Sequence, residues 1–102
     1  MKRRVAGFEW DEGNWPKCGR HGVSRAEIES VIAAARFVVD DPSPNEKCYR
    51  TAGRAPTDRH VFVVFTYRER GGSVYVRPIS ARYMHRKEIE SYEEEVARLA
   101  ER

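Results

Sequence analysis

Cysteine is scarce in this sequence: Cys18 and Cys48 are the only two among 102 residues. Two thiols cannot make the disulfide framework of a small secreted domain, and a cytosolic chain keeps such thiols reduced and buried. Long hydrophobic runs are missing as well. No stretch approaches the ~20 apolar residues that a membrane-spanning helix needs, and mean hydropathy is −0.74. The basic start Met1-Lys2-Arg3-Arg4 is not followed by the apolar run of a signal peptide, so a cytoplasmic location without membrane contact is expected. Internal repeats, low-complexity segments and long linkers are absent, and residues 1–102 are expected to form a single domain around one core. The sequence contains no G-x-G-x-x-G, Walker loop, H-E-x-x-H or nucleophile elbow, which leaves a nucleotide cofactor or a metallohydrolase without support. Cys18-Gly19-Arg20-His21 has C-x-x-H spacing, but no second ligand pair accompanies it. Neither a metal nor a cofactor is expected, and a zinc-stabilised interaction domain is the weakest reading.

What the sequence has in abundance is arginine. Fifteen of the nineteen cationic residues are arginine, against sixteen acidic residues, for a formal net charge of +3. The distribution is uneven, because residues 1–83 carry a net +5 and residues 84–102 a net −2. A guanidinium matches phosphate bidentately, so an arginine-rich body suits a polyanionic partner. The plainer alternative is a solvated surface whose arginines lie over apolar neighbours.

Patterning predicts an α+β fold. Residues 8–10 read as a short strand, and residues 14–21 as a short helix with Pro16 in its first turn. Ser24-Arg25-Ala26-Glu27 is a capping box, followed by Ile28, Val31, Ile32 and Ala35 at helical spacing, so a helix should run to Arg36. A strand should start at Phe37, before a loop over residues 40–45. Residues 47–54, 60–68 and 74–81 read as strands. The second is nearly continuously apolar and should be central and covered on both faces. Gly71-Gly72 is a hairpin turn, and Pro78 predicts a bulge or an edge position in the last strand. Ile89, Tyr92, Val96 and Leu99 mark one face of a C-terminal helix. The whole is an antiparallel sheet of about four strands packed with helices.

Period-2 counting puts Arg50 and Arg54 on one face of their strand. Arg77 falls within the last strand and Arg82 past its end. Two arginines on an open sheet face would cradle a phosphate. Of the three histidines, His21 is the candidate for proton transfer, although Lys17 and Arg20 beside it oppose its cationic form. Trp10 suits core anchoring, whereas Trp15 could equally stack an unpaired base.

Several ordered blocks together resemble one family. They are Phe8-Glu9-Trp10-Asp11-Glu12-Gly13-Asn14, then Lys17-Cys18 and His21-Gly22-Val23-Ser24. Arg50-Thr51-Ala52-Gly53-Arg54, Val61-Phe62-Val63-Val64-Phe65-Thr66, Arg77-Pro78-Ile79-Ser80-Ala81-Arg82 and Tyr83-Met84-His85-Arg86-Lys87-Glu88 follow. This series resembles the BrnT-type toxins of type II toxin–antitoxin systems over residues 8–93. The resemblance implies a RelE-like compact fold and a metal-independent ribonuclease that arrests translation. It also implies a cognate ribbon-helix-helix antitoxin, with operator DNA contacted only through the toxin–antitoxin complex. On that reading Arg54 and Arg82 clamp the scissile phosphate, His21 moves protons and Lys17 stabilises charge. Arg77, Arg50 and Trp15 then hold RNA on either side. The alternative is a non-catalytic module of the same fold that binds RNA or the antitoxin without turnover.

Overall fold

The computed structural model describes residues 4–100. The basic Met1-Lys2-Arg3, used above in weighing a signal peptide, lies outside the described residues. In chain order the elements are β1 (Gly7–Phe8), a single 3-10 turn (Lys17–Gly19), α1 (Arg25–Ala33), β2 (Val39–Asp41), β3 (Cys48–Arg54), β4 (His60–Arg70), β5 (Ser73–Tyr83) and α2 (Arg86–Ala100). They form an α+β structure with one sheet in the order β1-β5-β4-β3-β2.

This sheet corrects the sequence expectation in two respects. It has five strands rather than about four, and it is mixed, because β1 runs parallel to β5. The two outer strands, expected at residues 8–10 and from Phe37, are too short for a period to fix their bounds or pairing. β1 is secured by backbone bonds from Ala6 N–H to the Val74 carbonyl and from Glu9 N–H to the Val76 carbonyl, each 2.8 Å. β2 begins at Val39 rather than Phe37 and includes Asp40 and Asp41, which composition assigns to a loop. Their carboxylates are matched on the neighbouring strand side, Asp40 by Lys47 at 2.8 Å and Asp41 by Arg50 at 3.9 Å.

α1 forms for the reasons its sequence gives. The Ser24 hydroxyl accepts from the Glu27 backbone N–H, while the Glu27 carboxylate accepts from the Ser24 N–H. Ile28, Val31 and Ile32 are buried against the sheet. The helix ends at Ala33, short of Arg36, but Ala35 beyond it is still buried. From the sheet come Val61, Val63 and Phe65 of β4 with Val76 and Ala81 of β5. Alternate residues Phe62 and Val64 of β4 are only half-buried. The expectation that this strand is covered on both faces is therefore corrected: its outer face is partly open, and the apolar run reflects β-branched and aromatic propensity as much as burial.

β4 and β5 are joined by Gly71 (φ +57°) and Gly72 (φ +83°), a two-residue connection that needs left-handed backbone at both positions. β5 also has the predicted irregularity. Val64 pairs with Ser80 and Phe65 with Pro78, leaving Ile79 as the extra residue of a bulge where Pro78 has no N–H to give the ladder. Arg77 then pairs across from Thr66 and Arg82 from Phe62, so these two arginines, five positions apart, share the outer face. β5 continues to Tyr83, so Arg82 lies inside the strand and not past its end.

Residues 14–21 contain no α-helix, only the 3-10 turn, because a side chain organises this segment. Buried Asn14 donates through Nδ2 to the carbonyls of Glu9 (3.0 Å) and Pro78 (2.9 Å), and its Oδ1 accepts from the Asp11 N–H (2.9 Å). The amide thus ties the segment to the bulge of β5. In α2, Tyr92 meets the rings of Phe37 and His60, centroids 6.0 and 5.7 Å apart, yet no residue of this helix is buried.

Asn14→Ala strands the two carbonyls and the Asp11 N–H. It is expected to lower stability by about 2 kcal/mol, read as a reduced urea midpoint with an unchanged m-value.

Candidate functional site

β1 pairs only with Tyr75 and Val76, so the edge of β5 beyond them is met by residues 17–21 instead. Lys17, Cys18, Arg20 and His21 line a small pocket of about 80 Å³ with Ile79, Ser80 and Ala81 of β5. Cys18 is the anchor. It is 1% exposed, and burial pushes its thiol up to about 11, so it sits in the core as a protonated apolar group. Lys17, Arg20 and His21 around it stay exposed. Among the described residues, no ion pair is formed by any of these three.

Two glycines permit this geometry. A Cβ on Gly19 would lie 2.5 Å from the Trp15 ring, so only glycine lets the indole close against the turn. Gly22 has φ +93°, which turns the chain directly after His21. The Tyr83 hydroxyl lies 3.3 Å from the Gly22 carbonyl and donates to Glu27 at 2.9 Å. Thr57 also donates to Glu27 (2.6 Å), as do the Ser24 N–H (3.0 Å) and hydroxyl (3.1 Å). Burial alone would raise the Glu27 carboxyl, but these donors outweigh it and hold the group at about 2.

The arginines expected to bind phosphate occupy one face. Arg50 of β3 lies across Val64 of β4 from Ser80 of β5, whereas Arg54 pairs with His60, two residues along the same face from the Phe62 that pairs with Arg82. Each of these arginines has a carboxylate near it. Arg82 is held bidentately by Glu88, at 2.8 and 2.7 Å, and lies over the Phe62 ring at 4.7 Å. This pairing holds Glu88 down at about 2 and raises Arg82. Arg54 donates to Asp58 at 3.1 and 2.7 Å on the exposed surface. Arg77 is the most enclosed, with 13% of its side chain exposed and hydrogen bonds to Glu9 (3.0 Å) and Asp11 (2.9 and 3.0 Å). The Asp11 bond raises Arg77 and lowers Asp11. Trp15 is half-buried, edge-on to Trp10 at 5.5 Å, with Arg25 5.1 Å from its ring centre.

The structure therefore brings Lys17 and His21 together and gathers Arg50, Arg54, Arg77 and Arg82 on the sheet face, while Trp15 belongs to an aromatic cluster. Sequence reasoning passed over Arg20 as a pocket residue. A 3-10 turn eclipses positions three apart, which is the signal that would have joined Arg20 to Lys17. Glu88 was passed over too, although it sits three residues after His85 and accepts its backbone N–H at 2.8 Å. Among the described residues, no group of three or more His, Cys, Asp or Glu side chains could hold a metal ion, and no helix is long and apolar enough to cross a membrane.

Lys17, Arg20 and His21 lie beside a sheet edge with no ion pair among the described residues, and guanidinium groups lie on the adjoining face, a chemistry that suits a phosphate polyanion. The chain belongs to the BrnT family: residues 10–88 match the model of the ribonuclease toxin, BrnT, of type II toxin–antitoxin systems. Its class of substrate is accordingly RNA, and its class of partner an antitoxin. No curated protein matches the chain.

The Glu27 carboxyl titrates at about 2 in the folded protein against 4.5 ordinarily, so its stabilisation is present above pH 4.5 and is lost as pH falls through 2. Glu27→Gln is expected to cost about 2–3 kcal/mol at neutral pH. It should also give a shallower loss of stability across that acid window. Urea unfolding at a series of pH values checks both.

Proposed function

We propose that this chain is a metal-independent endoribonuclease that arrests translation, with its reacting phosphate in the pocket beside β5. The observation that carries this reading is the grouping of Lys17, Arg20 and His21 in one pocket, without an ion pair to any described residue. The reaction needs three services. A proton must leave the 2′-OH as its oxygen attacks phosphorus, negative charge on the non-bridging oxygens must be balanced, and the departing 5′-oxygen must gain a proton. The P–O5′ bond breaks, leaving a 2′,3′-cyclic phosphate and a 5′-hydroxyl. His21 carries the proton transfer, and Lys17 and Arg20 balance the charge, so side chains alone can supply every step.

Arg82 follows Ser80 on the same strand face and reaches the scissile phosphate or its neighbour. Arg54 and Arg50 continue the track across the sheet, since an exposed pair such as Arg54–Asp58 exchanges readily for a phosphate. Arg77 and Trp15 contribute through the segment they fix, residues 9–19, more than through RNA contact. The same reading has residues 1–102 working as one RelE-like domain in the cytoplasm. A ribbon-helix-helix antitoxin encoded beside it neutralises the toxin, and the complex represses its operon through the antitoxin's DNA contacts.

Incubation of the protein with end-labelled RNA in excess chelator tests the proposal. Cleavage with a 2′,3′-cyclic phosphate terminus is expected, slowed about 100-fold or more by His21→Ala. Lys17→Ala and Arg20→Ala should each slow it about tenfold or more. Salt-sensitive retention of intact RNA without cleavage would replace the enzyme by a binding module. Full activity in all three folded variants would remove the pocket from the reaction.

A further inference from the structure

We propose that Glu88 is a built-in competitor for the RNA phosphate at Arg82, a specificity-determining residue that admits polyanions and turns away single anions. This rests on the reading of Arg82 as a phosphate ligand. The geometry is that of a substrate mimic. A carboxylate and a phosphate offer a guanidinium the same pair of oxygens, and Glu88 gives both of its own, one to each terminal nitrogen of Arg82. The guanidinium is also seated over Phe62, which favours a fixed fork that an incoming anion must reach. Phosphate cannot take the bidentate position while Glu88 holds it.

Glu88 is six residues from Arg82, so the competitor is tethered at an effective concentration in the millimolar range or above. A lone anion must match that by itself. An RNA strand meets Lys17, Arg20 and the arginines of β3 as well, and its many weak contacts together displace one carboxylate. What Glu88 gives up is limited. No residue of α2 is buried, and Glu88 also accepts the His85 N–H at the start of that helix, a bond that loosens with this turn when Arg82 is released. The first turn of α2 is thus held to the sheet in part by the contact that substrate replaces. Its carboxyl is held at about 2 by the Arg82 pairing, so the competitor is ionised throughout the physiological range.

Glu88→Gln keeps an acceptor for the His85 N–H and removes the charge. Binding is measured by anisotropy with a labelled 2′-O-methyl oligonucleotide, which cannot be cleaved through its 2′ position. Glu88→Gln is expected to bind about fivefold more tightly than the parent. The slope of log K against log salt should be more negative by about 0.7. Inorganic phosphate should compete with the oligonucleotide at lower concentration in Glu88→Gln than in the parent. With Arg82→Ala in the background, Glu and Gln at position 88 should bind alike. Hydrogen exchange of amides 85–89 in the unmodified protein should rise when the oligonucleotide is added, a measurement that does not depend on the variant folding. Equal affinity and salt slope in folded parent and Glu88→Gln, or unchanged exchange at amides 85–89 on binding, would overturn the proposal alone. Failure of both proteins to bind the oligonucleotide would overturn the RNA reading beneath it.

Discussion

The buried carboxylate of Glu27 is the interaction on which the rest of the structure depends. An ion taken out of water costs several kcal/mol unless donors surround it. Here the donors come from three separate parts of the chain: Ser24 at the start of α1, Thr57 in the connection after β3, and Tyr83 at the end of β5. Satisfying one side chain therefore fixes the helix, the β3–β4 turn and the last strand relative to one another. Arg59 lies over the Tyr83 ring at 3.4 Å and closes the outside of this joint. The turn at Gly22 rests against Tyr83, so the placement of His21 is linked to the same carboxylate.

The second organising fact is how charge is distributed after folding. A formal excess of +3 says little, because much of the arginine is matched locally by Glu9, Asp11, Asp58 and Glu88. Cations left without an ion pair do the long-range work of attracting a polyanion. Lys17 and Arg20 form no ion pair among the described residues and sit on a segment held by an apolar cysteine and an asparagine amide as well as by the charges at Glu9 and Asp11. The segment can be electropositive because the contacts that hold it, the Arg77 pairs with Glu9 and Asp11 included, leave Lys17 and Arg20 unused.

Legibility in the sequence follows the range of the forces involved. α1 could be read from residues 24–35 because capping and helical spacing are local, and the β4–β5 hairpin from its Gly-Gly turn and the strands on either side. β1 and β2 could be read only roughly, as strands near Phe8 and Phe37, since two or three residues hold no period and their bounds and pairing are decided by distant backbone. The segment at 14–21 looked helical because nothing local announces that the Asn14 amide bonds a carbonyl 64 residues away. The candidate site was legible in kind but not in arrangement. Lys17, His21 and the arginines carry recognisable chemistry, while the carboxylate that each arginine meets is set by register: Arg77 meets Glu9 and Asp11 from the far end of the chain. Glu88 is close in sequence to Arg82, yet its pairing depends on where β5 stops and α2 starts.

The bulge at Ile79 bears on how this protein can vary among lineages. An uninterrupted strand would send residues five apart to opposite sides, and one extra residue brings Arg77 and Arg82 to the same side. Between these two codons, the gene can change letters far more freely than it can change length. Loss or gain of a single codon would swing one guanidinium into the apolar layer beneath α1 or move the pairing of the whole strand. The spacing of the two arginines is thus inherited as a unit, and a relative that keeps both residues at another separation must have rebuilt the strand between them.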